Sequence, residues 1–170
     1  PHKISRMGVV RAYQIPRPFH RLTVLENLVV AAISTCNLRY DEAIEYSIKI
    51  LKMLNLDGLK DKPAFSLLPF QLKKLEVARA LACNPKLLLL DEPAAGARDE
   101  DIENLMEVIN EINKRGTTVM LVEHRLELVT KVANRIIVMH KGTKLTEGKP
   151  KEVLKSDLVI ETYLGGGKEI

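Results

Sequence analysis

The chain has 170 residues, 46% of them apolar and 28% charged, with a formal net charge of +4. That is enough to build the core of a globular α/β chain, but aromatics at 4% and the absence of Trp exclude a base-stacking surface for nucleic acid. Cys36 and Cys83 have no disulfide or metal spacing and suit a reducing compartment, the four His make no ligand pattern, and no apolar run is long enough to enter a bilayer directly.

In chain order, the first informative stretch is Arg11-Ala12-Tyr13-Gln14, followed by a proline-punctuated loop through Phe19. Thr23 and Glu26 have the spacing of a capping box and open a helix. Residues 41–54 read as a helix with Ile44, Ile48 and Leu51 on its apolar face, and residues 55–62, with Gly58, as a linker. Asn84-Pro85-Lys86 then stops a helix before Leu87-Leu88-Leu89-Leu90-Asp91-Glu92-Pro93. A continuous apolar run without alternation predicts a strand covered on both faces, as in a parallel α/β sheet. Its carboxyl end, where such sheets place their ligands, carries Asp91 and Glu92. One acid at such a position can hold Mg²⁺ through water, and the next can polarise an attacking water.

Ile102, Leu105, Ile109 and Ile112 make one stripe of a helix over residues 99–114, which Arg115-Gly116 stops. Residues 117–122 are β-branched and apolar and predict a second buried strand, directly followed by Glu123-His124. Lys141-Gly142 is a hairpin turn signal between residues 135–140 and 143–147. Pro150 starts a short helix, and Gly165 to Gly167 read as a frayed tail.

The order strand, acids, helix, strand, histidine resembles the stretch from Walker B to the switch histidine of ATP-binding-cassette (ABC) ATPases. Gln14 resembles the Q-loop glutamine, and Leu75-Glu76-Val77-Ala78-Arg79-Ala80-Leu81 resembles the helix after the family's signature. The opening Pro1-His2-Lys3-Ile4, Asp91-Glu92-Pro93-Ala94-Ala95-Gly96, Glu123-His124 and residues 159–165 are similar to the ATP-binding subunits of branched-chain amino-acid importers. The resemblance implies a P-loop NTPase-like parallel sheet core, here incomplete, with a helical subdomain inserted. Residues 1–22 are then the end of the nucleotide-binding core with the Q-loop. Residues 23–83 are the helical subdomain ending in the signature-like segment, and 84–170 return to the α/β core with the C-terminal hairpin and helices.

The implied cofactors are ATP and Mg²⁺. By the same resemblance, Asp91 and Gln14 attend the metal, Glu92 and His124 are catalytic, and Gln14 signals to a transmembrane permease. The expected partners are a second ATPase subunit, in a homo- or heterodimer, and the permease, which places the protein at the inner face of the cell membrane.

Departures from the family pattern matter equally. No G-x-x-x-x-G-K-[ST] loop occurs in these residues, so the expectation is the C-terminal portion of a longer ATPase, inactive alone. The signature slot reads Leu67-Leu68-Pro69-Phe70-Gln71, without the usual serine or glycines. Pro69 has no N–H to offer a phosphate, and Phe70 adds bulk where a backbone must approach closely. Arg98 stands where an acid or amide is usual in the segment that crosses to a partner site. A non-enzymatic interaction module, a fragment or degenerate partner subunit, is the competing expectation.

Overall fold

The structure, a computed structural model, describes residues 2–164. Pro1, the glycine run Gly165 to Gly167 and the end of the 159–165 segment lie outside the described residues. The chain divides into two compact units, residues 1–124 and 125–170.

The first unit is α/β. A short helix α1 (His2–Arg6) leads into strand β1 (Val9–Ala12) through Gly8, whose φ is +88°. A Cβ there would lie 2.9 Å from Lys86 Cγ, while the Gly8 carbonyl accepts the N–H groups of Lys86 and Leu87 at 2.8 and 2.9 Å. Only glycine meets both demands. Helices α2 (Val24–Cys36), α3 (Tyr40–Met53) and α4 (Pro69–Ala82) follow before the chain returns to β2 (Leu87–Asp91). Helix α5 (Asp99–Lys114) then connects to β3 (Thr118–Val122). The strands are parallel in the order β1-β2-β3, with Val9 opposite Leu87 and Asp91 opposite Val122.

Local chemistry explains the helix limits. The Thr23 hydroxyl accepts the Glu26 N–H at 3.1 Å and the Glu26 carboxylate accepts the Thr23 N–H at 2.7 Å, completing the expected capping box. Those bonds hold the Glu26 carboxyl below its ordinary pKa. Helix α4 ends at Cys83, after which Asn84 turns left-handed (φ 48°) and Pro85 bars continuation. Gly116 (φ +95°) ends the turn after α5.

Two burial expectations need correction. The strand over 87–91 is not covered on both faces: Leu88 and Leu90 are buried, whereas Leu87 and Leu89 are half-buried. The second strand is not buried either, since Met120 and Val122 are 56% and 54% exposed. Parallel register puts Arg11, Leu89 and Met120 side by side on one face, and Asp91 beside Val122. The unit's helices α4 and α5 pack against the sheet, and the buried residues alternate with this open set. A hollow of about 180 Å³ lies there, lined by Arg11, Leu89, Leu90, Asp91, Met120 and Val122. On α5 the predicted stripe Ile102, Leu105, Ile109 and Ile112 is buried.

The apolar face of α3 is also shifted. Ala43, Ser47, Ile50 and Leu51 are its buried residues, with Ile44 and Ile48 only half-buried. Helix α3 packs against α2 and α4, and small side chains, Ala43 and Ser47, stand at two of its buried positions.

Asn27 of α2 ties down the loop after Gln14. Fully buried, its Oδ1 accepts the Phe19 N–H at 2.8 Å, and its Nδ2 donates to the carbonyls of Phe19 and Thr23 at 3.1 and 2.9 Å. No apolar residue can replace those bonds, and the orphaned buried groups carry the cost. Asn27→Leu is expected to destabilise the chain by about 3 kcal/mol, measured by urea unfolding.

The second unit holds α6 (Leu126–Val132), the antiparallel hairpin β4 (Ile136–His140) and β5 (Thr143–Gly148), and α7 (Pro150–Val153). Lys141 (φ 45°) and Gly142 (φ 80°) form the expected tight turn, both left-handed. A bulge between Val138 and Met139 shifts the register. Leu128, Val153 and Val159 supply its buried side chains. Among the described residues no helix is long and apolar enough to cross a membrane.

Candidate functional site

The candidate site forms where β2 and β3 end. Asp91 closes β2, and its Oδ2 accepts Arg11 Nη2 at 2.7 Å from the neighbouring strand. Arg11 also stacks over the Tyr13 ring at 5.1 Å. Glu92 follows in a left-handed conformation (φ 46°), with its N–H given to the Val122 carbonyl at 2.9 Å. That geometry is costly for a residue with a Cβ, and the bond to Val122 helps hold it.

Gln14 reaches the site from the loop after β1. Its Nε2 donates to Glu92 Oε2 at 2.8 Å. Lys73 of α4 donates to the Glu92 carbonyl at 3.1 Å. His124 stands one residue beyond Glu123 with its side chain 70% exposed. The Glu123 side chain is completely buried. Its carboxylate accepts the Ala94 N–H at 2.9 Å and the His124 N–H at 3.1 Å.

The structure therefore brings Gln14 onto Glu92, and sets Asp91 and His124 at the ends of adjacent strands. The partner of the Asp91 carboxylate is Arg11, and that of the Gln14 carboxamide is Glu92. Sequence reasoning missed Arg11, Lys73 and Glu123. A charge inside the short strand Val9-Val10-Arg11-Ala12 is a signal for the first, and an acid directly after an apolar, β-branched run is one for the third. Lys73 gives none, because its partner is a backbone carbonyl 19 positions away.

The segment Leu67 to Gln71 runs into the start of α4, with Leu68 as its N-cap. Leu67 is buried and Leu68 is 66% exposed. Pro69 is the first helical residue, and the Leu68 N–H is already given to Gln71 Oε1 at 2.9 Å. Lys74 lies 5.5 Å over the Phe70 ring. A second network joins the same helix to the loop after Gln14: Glu76 accepts the Arg17 N–H at 3.3 Å and pairs with Arg79 at 3.0 Å. Arg79 in turn donates to the Arg17 carbonyl and stacks over Phe19 at 5.1 Å.

Arg98 precedes α5, and its guanidinium turns back to Asp101 at 3.3 Å. Lys74 pairs with the other Asp101 oxygen at 3.0 Å. Burial pushes the Asp101 carboxyl up, but the two cations outweigh it and hold the group below its ordinary value. A depressed carboxyl stabilises the fold above the unfolded pKa, and that stability is lost as pH falls through the folded value. Asp101→Asn is expected to cost about 1.5 kcal/mol at neutral pH. The penalty should shrink toward zero below about pH 4, read from urea melts across pH.

Comparison with known proteins shows what the chain is similar to along nearly its whole length. The sequence profile of the ABC transporter family matches residues 1–95. A probable branched-chain amino acid transport ATP-binding protein, LivG of Archaeoglobus fulgidus, is 42% identical over 176 residues, covering 97% of this chain and 68% of that protein. The high-affinity branched-chain amino acid transport ATP-binding protein BraF of Pseudomonas aeruginosa is 34% identical, covering 96% of this chain and 70% of its own. Among solved structures, the ADP conformation of MJ1267, an ATP-binding cassette of an ABC transporter, superposes with a TM-score of 0.80 at 33% identity. That match covers 97% of this chain and 71% of the other. A dimeric post-hydrolysis cassette bound to ADP and Pi, MJ0796, matches with a TM-score of 0.81 at 27% identity, covering 87% and 65%. With more than half its length inside the family profile and a relative 42% identical nearly end to end, this chain belongs to the ABC transporter family.

Proposed function

We propose that the chain serves in the ATP-hydrolysing subunit of an ABC importer for branched-chain amino acids. The observation that carries the reading is the Gln14 carboxamide on the Glu92 carboxylate, 2.8 Å apart, at the end of a strand that also delivers Asp91. The amino-acid substrate is supported by the names of the relatives, LivG and BraF.

The residues fit ATP with Mg²⁺. Asp91 and Gln14 supply hard oxygen donors, and Mg²⁺ needs only one or two from protein when phosphate and water supply the rest. Bound Mg²⁺ neutralises charge on the phosphates. Glu92 orients the attacking water and takes its proton. His124, exposed at the neighbouring strand end, contacts the γ-phosphate. Gln14 senses the occupied site and relays its state to the permease. Residues 1–22 and 84–170 act as the nucleotide-binding core, and 23–83 as the helical subdomain that ends in the signature-like segment. A second ATPase subunit completes the working pair, a reading supported by the dimeric cassette among the similar structures. The assembly sits at the inner face of the cell membrane through the permease.

A second reading, a non-enzymatic interaction module, is favoured by one feature: Pro69 starts α4 without an N–H, next to an exposed Leu68. Two measurements separate the readings. Vesicles carrying the protein and its permease should take up labelled leucine, isoleucine or valine only with ATP; ATP-independent or absent uptake overturns the importer. The 170-residue chain alone, lacking a phosphate-binding loop, should bind Mg-ATP no tighter than millimolar by calorimetry. Micromolar binding would overturn that part.

A further inference from the structure

We propose that Glu123 is a positioning residue that fixes the spacing between Glu92 and His124, an inference that rests on the roles assigned to those two in the proposed function. Its side chain is completely buried, though it is an acid directly after a strand whose last residue is more than half exposed. A carboxylate in such a place needs strong partners. Its two oxygens take one backbone N–H each, Ala94 at 2.9 Å and His124 at 3.1 Å. Bonds from N–H to a carboxylate are the stronger kind.

The two donors belong to different segments. Ala94 lies two residues after Glu92, with the rigid ring of Pro93 between them. His124 is the next residue after Glu123 itself. One buried side chain therefore clamps the loop that leaves the water-activating carboxylate to the turn that presents the imidazole. A second tie runs parallel to it, since the Glu92 N–H is held by the Val122 carbonyl at 2.9 Å. That backbone bond sets the height of Glu92 above the strand end. The Glu123 side chain reaches past Pro93 to the Ala94 N–H, so it governs how the loop is angled relative to His124. The Nδ1 of His124 is 3.9 Å from the same carboxylate, too long for a direct bond, so the hold on this residue is through its backbone and leaves the ring free to turn toward a phosphate.

Glu123→Gln tests this with almost no change in size. A carboxamide has one acceptor oxygen and cannot serve both amides, and its NH₂ would face an N–H. In amide NMR spectra of the 170-residue chain, the Ala94 and His124 resonances should both move upfield. Exchange of the Ala94 N–H with solvent should accelerate at least ten-fold. The side-chain amide of Gln14, which reports on Glu92 through their 2.8 Å bond, should shift with them. Amides of α2 and α3 should stay in place, as they would not if the variant merely loosened the fold. Unmoved Gln14 and His124 signals would overturn the proposal, and so would a general collapse of the spectrum that Glu123→Asp, which keeps the charge, does not relieve.

Turnover supplies the second arm, in a protein carrying this chain and a phosphate-binding loop. Glu123→Gln should lower kcat at least ten-fold with KM for ATP within three-fold. An unchanged kcat beside a dead Glu92→Gln enzyme would overturn the role of Glu123 alone. Hydrolysis that survives Glu92→Gln would instead overturn the underlying reading, while the NMR arm still decides whether the clamp exists.

Discussion

In a protein that joins this chain to a phosphate-binding loop, Glu92→Gln is expected to abolish steady-state ATP hydrolysis while leaving ATP bound. A positioned general base contributes about 10²- to 10⁴-fold, and a neutral carboxamide cannot accept the water's proton. The substitution is gentle on structure. Glutamine keeps an oxygen for the Gln14 donor, 2.8 Å away, and leaves the backbone bond to Val122 in place. Phosphate binding depends on other groups, so affinity for ATP should stay within a few-fold. Single-turnover hydrolysis and retention of labelled nucleotide check both halves. Unchanged hydrolysis would remove Glu92 from its assigned role.

The second large effect is expected at the start of α4. Restoring Ser at 68 and Gly at 69 and 70 should speed hydrolysis by a dimer of such subunits about 10²-fold, the worth of one or two well-aimed donors at a charged phosphate. The geometry is the reason the native segment is expected to be poor at this. Pro69 supplies no N–H, and the Leu68 N–H is already given to Gln71. The exposed Leu68 presents an apolar side chain where a hydroxyl would serve. The change also removes the favoured first-turn proline and the contact of Lys74 with Phe70. It should therefore cost about 1–2 kcal/mol of stability, to be followed by melting. Equal rates before and after would identify the segment as a tolerated variant. A heterodimer whose partner supplies an intact signature should be insensitive to the change at this subunit's own site.

Much of the fold was legible because its signals are local. Helix α5 is spelled by four apolar residues at helical spacing, and its end by Arg115-Gly116. The capping box at Thr23 and Glu26 needs only three residues of separation. The errors arise where burial depends on what lies across from a residue. Leu89, Met120 and Val122 carry the same apolar chemistry as Leu88 and Leu90, and composition cannot tell which face a helix covers. On α3, hydropathy pointed to Ile44 and Ile48, whereas the buried positions include the small residues Ala43 and Ser47. The candidate site divides in the same way. Asp91, Glu92 and His124 stand out by position along the chain. Lys73 does not, because its partner is a backbone carbonyl 19 positions away, and the tie of Glu123 to Ala94 spans 29 positions.

The left-handed backbone at Glu92 has a consequence for how such a sequence can drift. Glycine adopts φ near 46° without steric penalty, so Glu92→Gly would relieve conformational strain at the strand end. On the role proposed for Glu92, thermal stability and activity favour different residues at one position. Populations screened for heat resistance alone would discard this carboxylate, and only a screen that demands turnover would keep it. The acid's survival in such a posture is a record that something other than stability has been choosing there.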